Sequence, residues 1–169
     1  MSMGTVARRL RLWLVATIVV ADQIVKVLID GRLPEFGSIV VIPGLLNLTR
    51  VHNTGIAYGV FDGMDFPGQS VVLALLALGA LIGLAVYAAA LDDDQRLTRL
   101  GLSFVIGGAA GNLIDRVRLG YVLDFVDVYR GDWHFWAFNV ADAAITAGVT
   151  LMVLDLLLGM RRARVSRTV

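Results

Sequence analysis

The stretch SVVLALLALGALIGLAVYAAAL, residues 70–91, carries no charged side chain and decides the fold class. An α-helix needs about 20 apolar residues to cross roughly 30 Å of hydrocarbon, and this stretch has that length. Further apolar segments of similar length occur along the chain. The predicted membrane-spanning helices cover about residues 10–29, 70–91, 97–114 and 139–160. The sequence therefore predicts an all-α polytopic membrane protein whose residues 1–169 form a single membrane-embedded domain.

The composition agrees with a membrane protein and narrows the chemistry. The chain has 169 residues, 57% of them hydrophobic and 17% charged, and its mean hydropathy is +0.75. Because the sequence has no cysteine, disulfides, thiolate catalysis and cysteine-bound zinc are excluded. The two histidines do not have the spacing of a metal site, so we expect neither a metal nor a cofactor. His52, beside Asn53, is a candidate substrate contact, whereas His134, among tryptophans, is expected at the membrane interface.

The distribution of positive charge predicts the orientation. Nine arginines lie near the ends of the apolar segments on one side: Arg8, Arg9, Arg11, Arg96, Arg99, Arg161, Arg162, Arg164 and Arg167. Both termini and the 92–96 link are therefore expected in the cytoplasm, and the segments of about 30–69 and 115–138 outside it. The net charge of +1, without a basic stripe, indicates no nucleic-acid partner.

The first apolar segment also resembles a cleavable secretory signal peptide. Arginines precede it, and Val19-Val20-Ala21 has the form of a cleavage site. Hydrophobicity nevertheless continues past Ala21 to Ile29, which favours a helix that is retained.

The two outer segments have their own patterns. Residues 38–42 are β-branched and end at a Pro-Gly turn, and residues 46–51 and 121–128 alternate as strands do. Residues 53–61 are short, amphipathic and broken by glycine. We expect a small extracytoplasmic β-sheet and a short surface helix, resting on the membrane. An interfacial belt is predicted from the aromatic residues Tyr121, Tyr129, Trp133, Phe135, Trp136 and Phe138.

Two pairs of glycines have the spacing that lets membrane helices approach closely. For Gly79 and Gly83 we expect helix packing only. For Gly107 and Gly111, Asn112 follows directly, so close packing and a polar site are expected to coincide.

Ionisable residues in or beside membrane segments are costly and indicate function. Asp22 and Lys26, four residues apart, share a helix face. They are either a neutralising pair, with Lys26 reaching outward along the helix, or a buttress for a site at the outer surface. Asp115 and Arg116 are expected to close the third span. They form either a helix-end ion pair or a site in which Arg116 donates to a carboxylate, phosphate or carbonyl.

Asp124 and Asp142 are the candidate catalytic pair. Asn139 followed by Asp142 resembles a capping box, and a helix N-terminus favours an ionised carboxylate, which suits a general base. Asp124 lies between Leu123 and Phe125, an apolar setting that should raise its pKa. Two carboxylates in such different settings can share one proton and act as acid and base. The sequence does not assign the proton to either, and a purely structural role for Asp142 as a cap stays open.

Two other classes of protein fit some of these residues. In a proton-linked carrier, Asp22, Lys26, Asp115 and Asp142 would form a relay. A relay needs ionisable groups through the whole membrane, but these lie in the outer half, and only Asp155 is expected near the inner surface. No internal repeat supports a two-fold transporter. In a membrane scaffold, the polar residues would merely pack helices.

Five motifs together resemble those of bacterial lipoprotein signal peptidase, also called signal peptidase II. In order, they are Asp22-Gln23-x-x-Lys26, Asn53-Thr54-Gly55-x-Ala57, Gly107-Gly108-Ala109-x-Gly111-Asn112-x-x-Asp115-Arg116, Val122-x-Asp124-Phe125 and Phe138-Asn139-x-Ala141-Asp142. Each is weak alone, but five in this order at these spacings are specific. Ile56 and Tyr58 depart from the residues common in the second motif, which we expect to tune the pocket.

The resemblance implies an aspartic endopeptidase of the bacterial inner membrane with its active site at the extracytoplasmic face. It implies that the enzyme cuts a diacylglyceryl-modified prolipoprotein just before the lipidated cysteine. Asp124 and Asp142 correspond to the catalytic aspartates. Membrane lipid and a globomycin-type inhibitor are further expected partners. The motif positions that are expected to hold substrate or support the site are Asn53, Asn112, Arg116, Asn139, Asp115, Asp22, Lys26, Gly108 and Ala141.

Overall fold

The computed structural model describes residues 11–55, 68–92 and 95–165. Its four long helices are α1 (Leu12–Arg32), α2 (Gln69–Ala90), α3 (Arg96–Leu119) and α4 (Val140–Val165). Each contains a stretch long and apolar enough to cross a membrane. The prediction of a polytopic membrane protein with four spanning helices is therefore confirmed.

The strands form one antiparallel sheet. In the sequence, two of them lie between α1 and α2 and two between α3 and α4. They are β1 (Ser38–Ile42), β2 (Leu46–Asn53), β3 (Val122–Arg130) and β4 (Trp133–His134), in the spatial order β1-β2-β3-β4. The predicted strands and the turn at Pro43-Gly44 are confirmed, and Gly44 takes the left-handed φ of 76° that this turn requires. The two-residue β4 was not predicted. Most of the segment predicted as a surface helix, residues 56–61 of 53–61, lies outside the described residues.

Helix α3 is longer than its hydrophobicity indicates. It was expected to end near residue 114, but it continues to Leu119. At the cap, the N–H of Gly120 bonds the Arg116 carbonyl, and the left-handed φ of 84° at this glycine turns the chain out of the helix. The expectation that Asp115 and Arg116 close the helix is therefore wrong. Both lie within its last two turns, where buried polar partners replace the apolar surroundings on which the prediction depended.

Helix α3 is the centre of the bundle and contacts the other three helices. A Cβ built on Gly107 would lie 3.0 Å from Cβ of Ile18 on α1. One on Gly111 would lie 2.8 Å from Oδ2 of Asp22, and one on Gly108 would collide with the Ala141 carbonyl oxygen of α4. Close packing at this glycine pair is therefore confirmed, and it occurs beside polar side chains, as expected.

The other glycine pair behaves differently. No described atom lies within 4 Å of a Cβ built on Gly79 or Gly83, because both glycines are on the exposed face of α2. The prediction that they pack against a helix is wrong for the described part of this chain. The buried residues of α2 are instead Leu73, Ala88 and Ala89, and Ala88 packs in a cluster with Leu102 of α3.

The first turn of α3 is tied to α4 at the end of the bundle opposite the sheet. Asp155 Oδ2 accepts hydrogen bonds from the Thr98 hydroxyl at 2.6 Å and from the Thr98 backbone N–H at 3.2 Å. Helix N-termini have unpaired N–H groups, and a carboxylate from a neighbouring helix satisfies one of them here. Asp155 was expected simply at the interface, but its contacts are those of a cap.

A hydrophobic cluster joins the sheet to the end of α1. Ile29 and Leu33 pack against Leu123 and Phe125 of β3. The first residues of β3 are thereby held at the point where α1, α3 and α4 come together, and Asp124 is among them.

Candidate active site

Asp124 is buried and receives a hydrogen bond on each carboxylate oxygen. Only 2% of the residue is exposed. Nδ2 of Asn139 donates to its Oδ1 at 2.7 Å, and Nδ2 of Asn53 donates to its Oδ2 at 2.9 Å. Pairing of β2 with β3 brings Asn53 opposite Val122, on the same face of the sheet as Asp124. The strand register therefore places this asparagine at the carboxylate.

Asp142 occupies the first turn of α4 and also has a donor on each oxygen. Nδ2 of Asn112 donates to its Oδ1 at 2.8 Å, and the Asn139 backbone N–H donates to its Oδ2 at 3.2 Å. The Asp142 N–H in turn donates to Oδ1 of Asn139 at 2.9 Å. The predicted capping box is confirmed. The cap and the candidate site are one structure, so the two interpretations of Asp142 do not exclude each other.

Asn139 is the residue that joins the two aspartates. It is fully buried, it bonds Asp124 through its side chain, and it bonds Asp142 through its backbone and its side-chain oxygen. Its Nδ2 also lies 3.1 Å from Oδ1 of Asn112 and 3.3 Å from the Leu123 carbonyl oxygen. The structure thus brings together both aspartates and three of the predicted supporting asparagines.

The setting of Asp124 changes its acidity. Burial, together with the nearby negative charge of Asp142, raises the pKa of Asp124 to about 7, against the opposing effects of the hydrogen bonds from Asn53 and Asn139 and the positive charge of Lys26. The predicted upward shift is confirmed, and its main cause is the predicted one. The raised pKa allows this carboxyl to hold a proton near neutral pH, which an ordinary aspartate does not.

A buried ion cluster lies beside the aspartates. Nζ of Lys26 is 2.8 Å from Oδ2 of Asp22 and 2.7 Å from Oδ2 of Asp115. The lysine side chain is only 4% exposed, so the expectation that it reaches outward is wrong and the buttress interpretation is favoured. The reason is Asp115, a second carboxylate from α3 that stabilises the buried ammonium group.

The two acids of this cluster also hold the backbone on which the candidate catalytic residues lie. Asp22 Oδ1 accepts the N–H of Ala141, next to Asp142, at 2.9 Å. Asp115 Oδ2 accepts the N–H of Leu123, next to Asp124, at 3.1 Å. Gln23 connects the acids, since its Nε2 lies 3.3 Å from Asp22 Oδ2 and 2.9 Å from Asp115 Oδ1. Gln23 was not predicted as a site residue, although its place in the first motif indicated it.

Arg116 bonds a backbone carbonyl of its own chain. Its guanidinium donates to the Gly55 carbonyl oxygen at 2.8 Å, whereas Asp115 pairs with Lys26, so the predicted helix-end ion pair is wrong. The Gly55 N–H donates to Oδ1 of Asn53 at 3.0 Å. Arg116 therefore holds the turn that directs the Asn53 amide toward Asp124.

The histidines lie apart from this site. His52 is on the face of β2 opposite Asn53, where its ring stacks on Tyr121 with centroids 3.9 Å apart and its Nδ1 lies 3.0 Å from Glu35. His134 contacts Asp127 at 2.9 Å and stacks on Tyr129. Among the described residues, no group of three or more His, Cys, Asp or Glu side chains is arranged to hold a metal.

Comparison with known proteins gives consistent matches over nearly the whole chain. A family model described as signal peptidase (SPase) II matches residues 14–158. The lipoprotein signal peptidase of Geobacter metallireducens is 44% identical over 147 residues, which is 87% of this chain and 90% of that protein. That of Pseudomonas fluorescens is 39% identical over 157 residues, covering 92% and 91%. A solved structure described as a bacterial membrane enzyme, determined by the in meso method at 2.3 Å resolution, has a TM-score of 0.76 and 30% identity, covering 94% of this chain and 90% of its own.

Proposed function

The chain belongs to the signal peptidase II family, and from this premise we propose that it is an aspartic endopeptidase in which Asp124 and Asp142 activate a water molecule. Lipoprotein signal peptidase activity follows from the family. The observation that supports the aspartic mechanism is the linkage of both carboxylates through one buried asparagine, Asn139.

The two carboxyls differ in a way that suits acid and base roles. Asp124, with its pKa raised to about 7 by burial and by the charge of Asp142, holds the shared proton in the resting enzyme. Asp142, at the start of α4 with two N–H donors, carries the negative charge. Asp142 accepts a proton from water as the water oxygen attacks the peptide carbonyl, and Asp124 donates its proton to the carbonyl oxygen.

Collapse of the tetrahedral intermediate completes the reaction. Asp142 returns its proton to the leaving amine, the C–N bond breaks, and Asp124 recovers its proton from the intermediate's hydroxyl. No covalent bond to the enzyme forms, so the site needs no side-chain nucleophile. The hydrogen bonds on all four carboxylate oxygens hold the pair in position before substrate arrives, which is the preorganisation that catalysis requires.

The position of the site suits a substrate anchored by lipid. Asp142 lies in the first turn of α4 and Asn112 within the last two turns of α3, so the aspartates are at one end of the spanning helices. A diacylglyceryl-modified prolipoprotein can keep its acyl chains in hydrocarbon while the bond before its lipidated cysteine reaches the carboxylates. A globomycin-type inhibitor would bind at the same pair of aspartates.

The distribution of arginines supports the location. It favours cytoplasmic termini and an extracytoplasmic site, and the family resemblance implies the bacterial inner membrane. A carrier is not favoured, because Lys26 pairs with both Asp22 and Asp115 in a single cluster and Asp155 caps α3. A scaffold does not account for two carboxylates, those of Asp124 and Asp142, that are linked through one buried asparagine.

The substrate proposal is tested by supplying the purified protein with the same prolipoprotein in two forms, with and without the diacylglyceryl group. We expect the lipidated form to be cleaved before its cysteine, and the unmodified form to be cleaved at least about 100-fold more slowly at equal concentration, because lipid binding energy positions the reacting bond. Mass spectrometry of the released peptide identifies the bond. Equal rates for the two forms would rule out the lipid requirement.

A further inference from the structure

We propose that Lys26 is a positioning residue for the reaction: its ammonium group fixes the orientation of the Asn112 amide and so keeps an N–H donor on Asp142. The proposal rests on the proposed function, in which Asp142 is the base. Among the described contacts, Lys26 bonds neither Asp124 nor Asp142, so its role in the reaction would be an indirect one.

The argument begins with the hydrogen-bonding capacity of the ammonium group. Lys has three N–H donors and no acceptor. Nζ of Lys26 has three oxygen partners: Asp22 Oδ2 at 2.8 Å, Asp115 Oδ2 at 2.7 Å and Asn112 Oδ1 at 3.1 Å. Every donor is therefore used, and the third partner must present an oxygen.

An asparagine side chain has an oxygen on one side and an NH₂ on the other, so fixing one side fixes both. With Oδ1 of Asn112 held by Lys26, its Nδ2 faces Asp142 and donates at 2.8 Å. The reversed orientation would place NH₂ against the ammonium group and an oxygen against a carboxylate. Nδ2 of Asn139 also donates to Oδ1 of Asn112, at 3.1 Å, which favours the same orientation.

The lysine itself is held in place by buried acids. Asp22 and Asp115 neutralise it, and each also accepts a backbone N–H beside a catalytic aspartate. Removing the ammonium group would leave two carboxylates close together without a cation, which is costly in a buried site. The experiment must therefore separate loss of folding from loss of positioning.

The charge of Lys26 also affects proton affinity. The charged groups around it are Asp22 on its own helix, Asp115 on α3, Asp124 on β3 and Asp142 on α4, and Arg116 is a further cation near the aspartates. Lys26 lowers the pKa of Asp124. Loss of its charge raises that pKa, so the pH range in which the aspartates hold a single proton moves upward.

The test compares Lys26→Met with Lys26→Arg on a lipidated prolipoprotein. We expect Lys26→Met to lower kcat by about 100-fold with little change in KM, comparable to loss of one preorganised donor. Its pH profile should move to higher pH, because the positive charge that lowers the pKa of Asp124 is lost. Lys26→Arg, which keeps the charge and the donors, should restore part of the rate and the original pH profile. An unchanged kcat and an unmoved profile for folded Lys26→Met would overturn the proposal.

A double-mutant cycle with Asn112→Ala tests whether Lys26 acts through that asparagine. If it does, the double variant has about the same kcat as Asn112→Ala alone. Full additivity of the two losses would overturn the proposal. Should Lys26→Met fail to fold, the charge-balanced variant Lys26→Met with Asp115→Asn replaces it throughout, with the same expected loss and the same contradicting results.

The proposed function is tested separately by Asp142→Asn. If that variant keeps its activity, the catalytic role of Asp142 fails and the present proposal fails with it. If Asp142→Asn is inactive while the folded Lys26 variants have normal rates and pH profiles, only the positioning role of Lys26 is excluded.

Discussion

Asp142→Asn and Asp124→Asn are each expected to abolish release of the signal peptide, with a loss of about 10⁴-fold or more in kcat. An amide cannot take a proton from water as the Asp142 carboxylate does, and it cannot donate an acidic proton as the Asp124 carboxyl does. Because the two groups act as a unit, Asp124→Asn and Asp142→Asn should each cost nearly as much as both together. Single-turnover cleavage of a lipidated prolipoprotein measures the loss.

Asp127→Asn is the matched control for this result. Asp127 lies on the same strand as Asp124, but it bonds Asn47 and His134, away from the site. Its replacement should leave kcat within about threefold of wild type, because neither of its partners, Asn47 and His134, bonds Asp124 or Asp142 in the described contacts. Each Asp→Asn protein should still insert in membranes and unfold near the wild-type temperature. Cleavage by either Asp124→Asn or Asp142→Asn at a rate like that of the control would contradict the catalytic assignment.

Alanine in place of Gly108 is expected to have the second-largest effect. A Cβ there would collide with the Ala141 carbonyl oxygen and lie 2.8 Å from Cγ1 of Ile145, so α3 and α4 must separate. Separation would lengthen the 2.8 Å hydrogen bond between Asn112 on α3 and Asp142 on α4. Overpacking of this kind costs about 1–3 kcal/mol. A displacement near 1 Å can reduce kcat by about 100-fold.

Gly79→Ala is a close control, because it makes the same substitution within another spanning helix. No described atom lies within 4 Å of a Cβ at Gly79, and alanine is the better helix former by roughly 1 kcal/mol. Thermal unfolding and kcat should be unchanged or improved in Gly79→Ala and lowered in Gly108→Ala. Equal behaviour of the two variants would show that the close approach at Gly108 is not needed.

The parts of this structure that depend on local pattern were predictable from sequence. Apolar length predicts the four spans, a β-branched run before Pro43-Gly44 predicts β1, and alternation predicts β2 and β3. The spacing of Asn139 and Asp142 predicts the capping box. For the strands and the capping box, the residues that specify the structure are close together along the chain. For the spans, the apolar surroundings are the bilayer itself, so no distant residue has to be identified.

The parts that depend on distant partners were not predictable. The spacing of Asp22 and Lys26 puts them on one face, but only the third partner, Asp115 on α3, explains why the lysine is buried. The same cluster of Asp22, Lys26 and Asp115 provides the polar partners that stabilise α3 beyond its apolar stretch. Gly79 and Gly107 each begin a Gly-x-x-x-Gly motif. Only the tertiary packing shows that Gly79 is exposed and Gly107 is buried. The two-residue β4 is too short to show a pattern.

The most direct test of the aspartate mechanism is the pH dependence of kcat/KM for a lipidated prolipoprotein, which reports the ionisation of groups in the free enzyme. We predict a bell-shaped profile. The rate should fall at low pH, where both carboxyls are protonated, and fall again above about pH 7, where burial and the charge of Asp142 place the pKa of Asp124. A rate that stays constant from about pH 4 to pH 9 would contradict a pair of aspartates sharing one proton.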